Sequence, residues 1–125
     1  MRIMTCLMAA ALFLLTGCSN GSSAAYHRIS QEDAKRMMDT QDVLILDVRE
    51  QYEFDAGHIP GAVLLSVGRI NAETAAAAIE DPDTTVLVYF RSGNRSKTAA
   101  KALAELGYTN IYEFGGITTW PYEVE

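Results

Sequence analysis

The sequence predicts an α/β domain, a mainly parallel central sheet flanked by helices, and three observations predict it. Short continuous apolar runs, Val43–Leu46, Ala62–Leu65 and Val86–Tyr89, alternate with segments of helical periodicity, the pattern of strands covered on both faces. Turn signals at Pro60-Gly61 and Asp81-Pro82-Asp83 punctuate that alternation. Finally, residues 86–98 read as an apolar strand, a tight polar loop and the start of a helix, a geometry that aims backbone N–H groups at an anion.

The elements follow in order. Tyr26–Ile29 is a short opening strand. Ser30 is an N-cap with Asp33 three residues on, and Ala34, Met37 and Met38 give the next helix an apolar stripe. Val43–Leu46 is a central strand ending at Asp47, and Ala62–Leu65 is a third strand after the Pro60-Gly61 turn. Asn71 or Thr74 opens an alanine-rich helix that Asp81-Pro82-Asp83 stops. Val86–Tyr89 is the fourth strand. Ser96–Leu106 is a helix with Ala99, Ala102, Leu103 and Leu106 on one face and Gly107 at its stop. Ile111-Tyr112 is a last short strand, and no internal repeat is visible.

Ahead of this domain lies a different kind of sequence. Residues 1–17 carry one basic residue, Arg2, and then a mostly apolar run from Ile3 to Leu15. That run is short of the roughly 20 residues a helix needs to span a bilayer, so a signal peptide is expected rather than a membrane span. Leu15-Thr16-Gly17-Cys18 resembles the bacterial lipoprotein processing site, where cleavage precedes a cysteine that is then lipidated. The expectation is a bacterial cell-envelope protein, anchored to a membrane outside the cytoplasm through Cys18. Residues 18–25 are small and polar, the composition of a flexible tether. Residues 26–125 then make one small domain with a single core.

Composition narrows the chemistry. Both cysteines, Cys6 and Cys18, lie in the leader, so a chain starting at Cys18 has no free thiol beyond it and no disulfide framework. Without Arg2, nine basic residues face sixteen acidic ones, a balance of −7, which argues against nucleic acid as a partner. With only His27 and His58 available beside the carboxylates, nothing has metal spacing, and no cofactor is expected.

Within the loop Arg91-Ser92-Gly93-Asn94-Arg95-Ser96, Gly93 permits backbone conformations closed to other residues. Arg91, Arg95 and Lys97 add local positive charge to an acidic protein. Elsewhere, Asp47 and Arg49 leave the second strand ahead of Glu50, Tyr52, Glu53 and Phe54; a carboxylate at a strand end and an arginine four residues before Glu53 on a helical turn orient loops more often than they react. His58 sits in Gly57-His58-Ile59-Pro60-Gly61-Ala62, where a turn-fixing hydrogen bond is the expected role, though imidazole titrates near neutrality. Trp120 is expected to cover the edge of the core.

Taken together, Asp47-Val48-Arg49, Gly57–Ala62, the Arg91–Ser96 loop and Gly115-Gly116 with Trp120 resemble, in order and spacing, the rhodanese-like sulfurtransferase family over nearly all of Tyr26–Tyr122. The resemblance implies a reactive loop at a strand's C-terminal end, where ligands sit in open parallel sheets. It also implies a cysteine at position 90 that carries a persulfide; here the residue is Phe90. A phenyl ring neither ionises nor accepts sulfane sulfur, and an alcohol such as Ser92 or Ser96 with no apparent general base is no substitute. Arg95 lies five residues after position 90, whereas tyrosine and dual-specificity phosphatases place a cysteine and an arginine six apart, so the shorter loop suits a sulfur-sized site.

Three functions follow as expectations. The favoured one is a catalytically silent rhodanese-like module that binds a protein or a small anionic ligand at the envelope. The second is a thiosulfate or persulfide sulfurtransferase, by fold or by descent from one whose cysteine was lost recently. The third is an anion or phospho-group sensor that uses the loop N–H groups without covalent chemistry. The direction of the Phe90 ring separates the first from the third.

Overall fold

The computed structural model describes residues 25–125; the expectations for the signal peptide, Cys18 and residues 18–24 of the tether lie outside them. Five parallel strands form one sheet: β1 (His27–Arg28), β2 (Leu44–Asp47), β3 (Val63–Leu64), β4 (Val86–Phe90) and β5 (Ile111–Gly116), in the spatial order β1-β5-β4-β2-β3. Helices α1 (Gln31–Thr40), α2 (Gln51–Ala56), α3 (Ala72–Ala78) and α4 (Asn94–Glu105) connect them. Short 3₁₀ turns occupy Val67–Arg69 and Ile117–Thr119.

Alternation along β4 divides the core in two, because successive side chains of a strand point to opposite faces. Val86 and Val88 pack with Leu46, Val48, Ala75, Ile79, Ala99 and Leu103 beneath α3 and α4. Leu87 and Tyr89 face the other way, toward Ala34, Ile59, Phe114 and Trp120. Trp120 is nearly buried there, its ring centroid 5.4 Å from that of Phe114. All of the apolar residues on both strands β2 and β4 need cover, which is why these two sit at the centre.

Several boundaries differ from expectation. The opening strand is only His27–Arg28, the second runs Leu44–Asp47, one residue later than the apolar run, and the third shrinks to Val63–Leu64. Helix α1 starts as expected, with the Ser30 hydroxyl accepting from the Asp33 N–H at 3.0 Å. Helix α3 opens at Asn71, whose side chain caps the Glu73 and Thr74 amides, while Thr74 answers the Asn71 N–H at 2.9 Å. It ends at Ala78, before Asp81-Pro82-Asp83 is reached. Helix α4 starts two residues early, at Asn94, and buries Ser96, Ala99, Ala100, Leu103 and Ala104; Ala102 is half-buried and Leu106 exposed. The buried stripe is centred about one position further round than expected, facing the sheet through Ser96, Ala100 and Ala104 as well as Ala99 and Leu103. Strand β5 extends through Gly116, and Phe90 belongs to β4 itself.

Helix α2 is an element the sequence reading did not name. Arg49 precedes it rather than lying on it, and so does not pair with Glu53. Glu53 instead accepts from the Glu50 N–H at 3.1 Å, closing the start of the helix.

Candidate functional site

Strands β2 and β4 lie side by side with Asp47 opposite Tyr89, so their C-terminal ends present two loops together. After β2, the fully buried Asp47 takes two hydrogen bonds from the Arg49 guanidinium, Nη2 at 2.7 Å and Nε at 3.0 Å, and one from the Tyr89 hydroxyl at 2.6 Å. The Arg49 Nη2 also donates to the Gly57 carbonyl, and the Ile59 N–H donates to the Tyr89 oxygen. Burial on its own would lower the Arg49 pKa, but the Asp47 carboxylate outweighs it and raises it. Burial, followed by the bond to Asp47, pushes the Tyr89 phenol well above its usual value. Asp47 and Arg49 thus answer each other across two residues and pin the Gly57–Ile59 turn.

His58 belongs to that turn. Its Nδ1 lies 2.9 Å from the Phe54 carbonyl, its ring stacks on Phe54 at 3.9 Å, and its Nε2 lies 3.3 Å from a Glu125 carboxylate oxygen. Its backbone exchanges two hydrogen bonds with Glu125. None of these contacts reaches the 91–96 loop.

After β4 the chain behaves differently. The ladder between β4 and β5 is irregular between Val88 and Phe90, and Phe90 pairs with Gly116. A Cβ on Gly116 would sit 2.0 Å from the Arg91 carbonyl oxygen, so only glycine lets β5 come this close to the loop. Thr118 then holds that carbonyl through both its N–H, at 3.1 Å, and its hydroxyl, at 3.0 Å. Gly93 turns the chain into α4 at φ +107°. The backbone N–H groups of Ser92, Gly93, Asn94 and Arg95 have no acceptor among the described residues.

Phe90 shares the face of Val86 and Val88, is half-buried, and packs against the core beneath α3 and α4. The Arg95 guanidinium lies over its ring at 5.5 Å, a favourable cation–π distance. Arg91 is largely exposed and reaches a Glu53 carboxylate at 3.7 Å. Arg95 therefore covers a ring, and Arg91 leans toward α2; Ser92 and Asn94 are exposed.

Sequence reasoning missed Glu113. Its carboxylate is fully buried and gathers the Ser96 hydroxyl at 2.8 Å, the Gly115 N–H at 2.6 Å and the Arg28 guanidinium at 2.8 Å. The signal was a charged residue two positions after Ile111, on the inward side of an otherwise apolar strand. Glu113 also corrects the reading of Ser96, which does have a carboxylate in hydrogen-bond reach. Yet Ser96 is fully buried in the first turn of α4, with its hydroxyl also 2.7 Å from the Gly93 carbonyl, so it anchors the loop and meets no substrate. Among the described residues no cluster could hold a metal ion, and no helix is long and apolar enough to cross a membrane.

A five-stranded parallel sheet flanked by helices, with a glycine-turned loop between its central strand and α4, defines an α/β protein whose candidate site lies at the strands' C-terminal ends. The model of the rhodanese-like domain matches residues 30–122, and the chain belongs to that family. It is 35% identical over 98 residues to "Thiosulfate sulfurtransferase GlpE" of Pseudoalteromonas translucida, covering 77% of this chain and 90% of that one. To "Sulfurtransferase" of Allochromatium vinosum it is 37% identical over 93 residues, covering 73% and 83%. Among solved structures, "rhodanese with anions from E. coli" superposes with a TM-score of 0.62 at 28% identity, over 67% of this chain and 98% of that one. An Anabaena protein of known crystal structure superposes at 0.70 with 21% identity, over 78% and 90%, a likeness of fold.

Proposed function

We propose that this chain is an envelope-anchored rhodanese-like module, silent in sulfur transfer, that binds a partner or ligand at the sheet's C-terminal edge. The observation that carries this reading is Phe90. Its Cα–Cβ bond points where a cysteine side chain at the same position would point, and no thiol occurs in residues 25–125. Sulfane sulfur has nothing to attach to. Support for binding in place of catalysis comes from the loop's intact frame: Gly93, the Thr118 clamp on Arg91 and the free amides all persist around a side chain that cannot react. Phe90 packs against the core beneath α3 and α4 and carries the Arg95 guanidinium over its ring, which occupies one of the loop's cations and weighs against the non-covalent anion sensor. The relatives' names favour a sulfurtransferase, and that reading needs a thiol at position 90, where this chain has Phe90.

The test is a thiosulfate-to-cyanide transfer assay on the full chain beside Phe90→Cys. The native chain stays at background and the variant forms thiocyanate. Turnover by the native chain, persisting after removal of contaminating enzymes, rules the reading out. Anchoring is tested separately: in a bacterial host the full chain takes up labelled fatty acid, and Cys18→Ser abolishes that uptake.

A further inference from the structure

Residues 25–125 contain nine lysines and arginines. Five have a carboxylate within 4 Å: Arg28 with Glu113, Lys35 with Asp39, Arg36 with Asp33, Arg49 with Asp47 and Arg91 with Glu53. The other four, Arg69, Arg95, Lys97 and Lys101, have none among the described residues. The Arg28 pair stands apart by its asymmetry. Its guanidinium side chain is 58% exposed and its carboxylate fully buried, so an arginine that faces solvent is held from inside the protein. Such a pair is a weak source of stability, because taking a carboxylate out of water offsets much of what the pairing returns. What Glu113 secures is position.

The positions are the walls of one cleft. At the C-terminal ends of β1 and β5, beside the 91–96 loop, lies a cleft of about 500 Å³, the size of a small-molecule site. Arg28 stands in its β1 wall, Ser92 and Gly93 in its loop wall, and Gly115 and Gly116 in its β5 wall. Glu113 ties all three together: it accepts from Arg28, from the Gly115 N–H and from Ser96, whose hydroxyl also lies 2.7 Å from the Gly93 carbonyl. Gln31 closes the remaining side, its Nε2 donating to the Gly116 carbonyl at 2.8 Å and to the Thr119 hydroxyl at 3.0 Å. The shape is therefore fixed before anything enters.

The walls are chemically one-sided. Three other clefts of the domain carry carboxylates in their walls, Glu50, Asp81 and Glu123 among them, and this one carries none. Glu32 and Asp33, next along α1, do not line it, and Asp33 is paired with Arg36. In a domain with sixteen acidic residues against nine basic ones, that exclusion makes it a place for an anion. Glu113 takes a single guanidinium nitrogen, which leaves the other N–H groups of Arg28 without an acceptor among the described residues. We propose that this cleft binds a small carboxylic acid, its carboxylate on the edge of the Arg28 guanidinium that Glu113 leaves free. The proposal rests on the module reading and names the ligand's place and chemistry. Because Glu113 already balances the charge of Arg28, recognition comes from directed donors. A planar group with one charge and two oxygens matches the guanidinium fork, whereas a phosphate brings a second charge with no cation to meet it. Neither Phe90 nor Arg95 lines the cleft, so the ring at position 90 leaves it open.

The experiment is a nuclear magnetic resonance titration of the isotope-labelled full chain, in a non-ionic detergent, with acetate, benzoate and N-acetylglycine, read from the amide signals of Gly93, Gly115 and Gly116. At least one acid shifts these signals saturably, and its uncharged amide counterpart does not. Arg28→Gln weakens that binding about tenfold or more, as loss of a charge-assisted, two-pronged contact requires. That variant also deprives Glu113 of its counter-ion, so Ser92→Asp serves beside it: it sets a carboxylate on an exposed wall of the cleft, repels the ligand comparably, and leaves the melting curve nearly unchanged. Arg69→Gln, which changes an unpaired cation outside the cleft, has no effect on binding. Undiminished binding in either folded cleft variant overturns the proposal. So does the absence of a saturable shift with all three acids, or inorganic phosphate binding as tightly as the best of them. Native sulfur transfer in the separate assay would remove the module reading whatever the acids do; no transfer and no acid binding would remove this inference alone.

Discussion

The chain leaves two neighbouring strands, β2 and β4, in opposite ways. After β2, the buried polar groups answer one another: Asp47 holds Arg49 and Tyr89, Tyr89 accepts from Ile59, and Ser66 donates to the Arg49 carbonyl at 2.7 Å. After β4, the loop carries Arg95 with no carboxylate beside it, Arg91 only loosely tied to Glu53 at 3.7 Å, and amides without acceptors, around an aromatic ring that stands where the family's chemistry begins. The two loops share a sheet edge and a similar polarity in sequence. What separates them is closure: a polar group satisfied inside the protein holds the fold, and one left without a partner is available to something outside it.

Breaking the closed end has the largest expected effect. Asp47→Ala strips Arg49 and the Tyr89 hydroxyl of their shared acceptor in a buried site, and should cost about 3–5 kcal/mol, measured by urea unfolding. Asp47→Asn should recover part of that loss. If both variants unfold at the native midpoint, the network is not what fixes this end.

Phe90→Cys comes next, at about 1–2 kcal/mol, since a half-buried ring is replaced by a smaller side chain. Iodoacetamide rates against pH should also place the new thiol below its ordinary pKa of about 8.5, because the free amides, the start of α4 and Arg95 favour the thiolate. An ordinary thiol would mean that the open loop is no longer an anion cradle.

Tyr89→Phe should cost about 1 kcal/mol near neutrality, for one hydrogen bond to a carboxylate. It also has a signature in pH. The phenol's pKa is raised on folding, so the folded chain keeps a proton that the unfolded chain releases near pH 10. The stability this confers is fully present below about pH 10 and is lost as the pH climbs beyond it; in the phenylalanine variant that alkaline limb should flatten. The smallest effect belongs to the open end. Arg91→Ala removes a largely exposed contact to Glu53 at 3.7 Å, and thermal melting should register less than about 0.5 kcal/mol.

Much of this contrast could be read in one dimension. Continuous apolar runs marked β2 and β4, Ser30 marked one helix start and Asn71 or Thr74 another, and Phe90 announced the missing nucleophile by its identity alone. Helix α2 escaped because six residues with no buried side chain carry no apolar stripe to detect. The α4 start was misplaced because Ser96 has the composition of a cap and the position of a core residue.

By itself, then, the sequence determined the class of sheet, the order of its elements and the absence of a reactive thiol in residues 25–125, since these depend on local periodicity and on residue identity. Tertiary structure decided which polar groups meet. Tyr89 finds Asp47 across 42 positions, Glu113 reaches Arg28 across 85 and Ser96 across 17, and Gly116 earns its place only because the Arg91 carbonyl is packed against it. Those partnerships come from the register of parallel strands whose crossovers bring distant segments together, and no local pattern encodes that register. For the same reason the cations that pair and the four that do not look alike in the sequence; only the fold, by placing carboxylates within reach of the former, tells them apart.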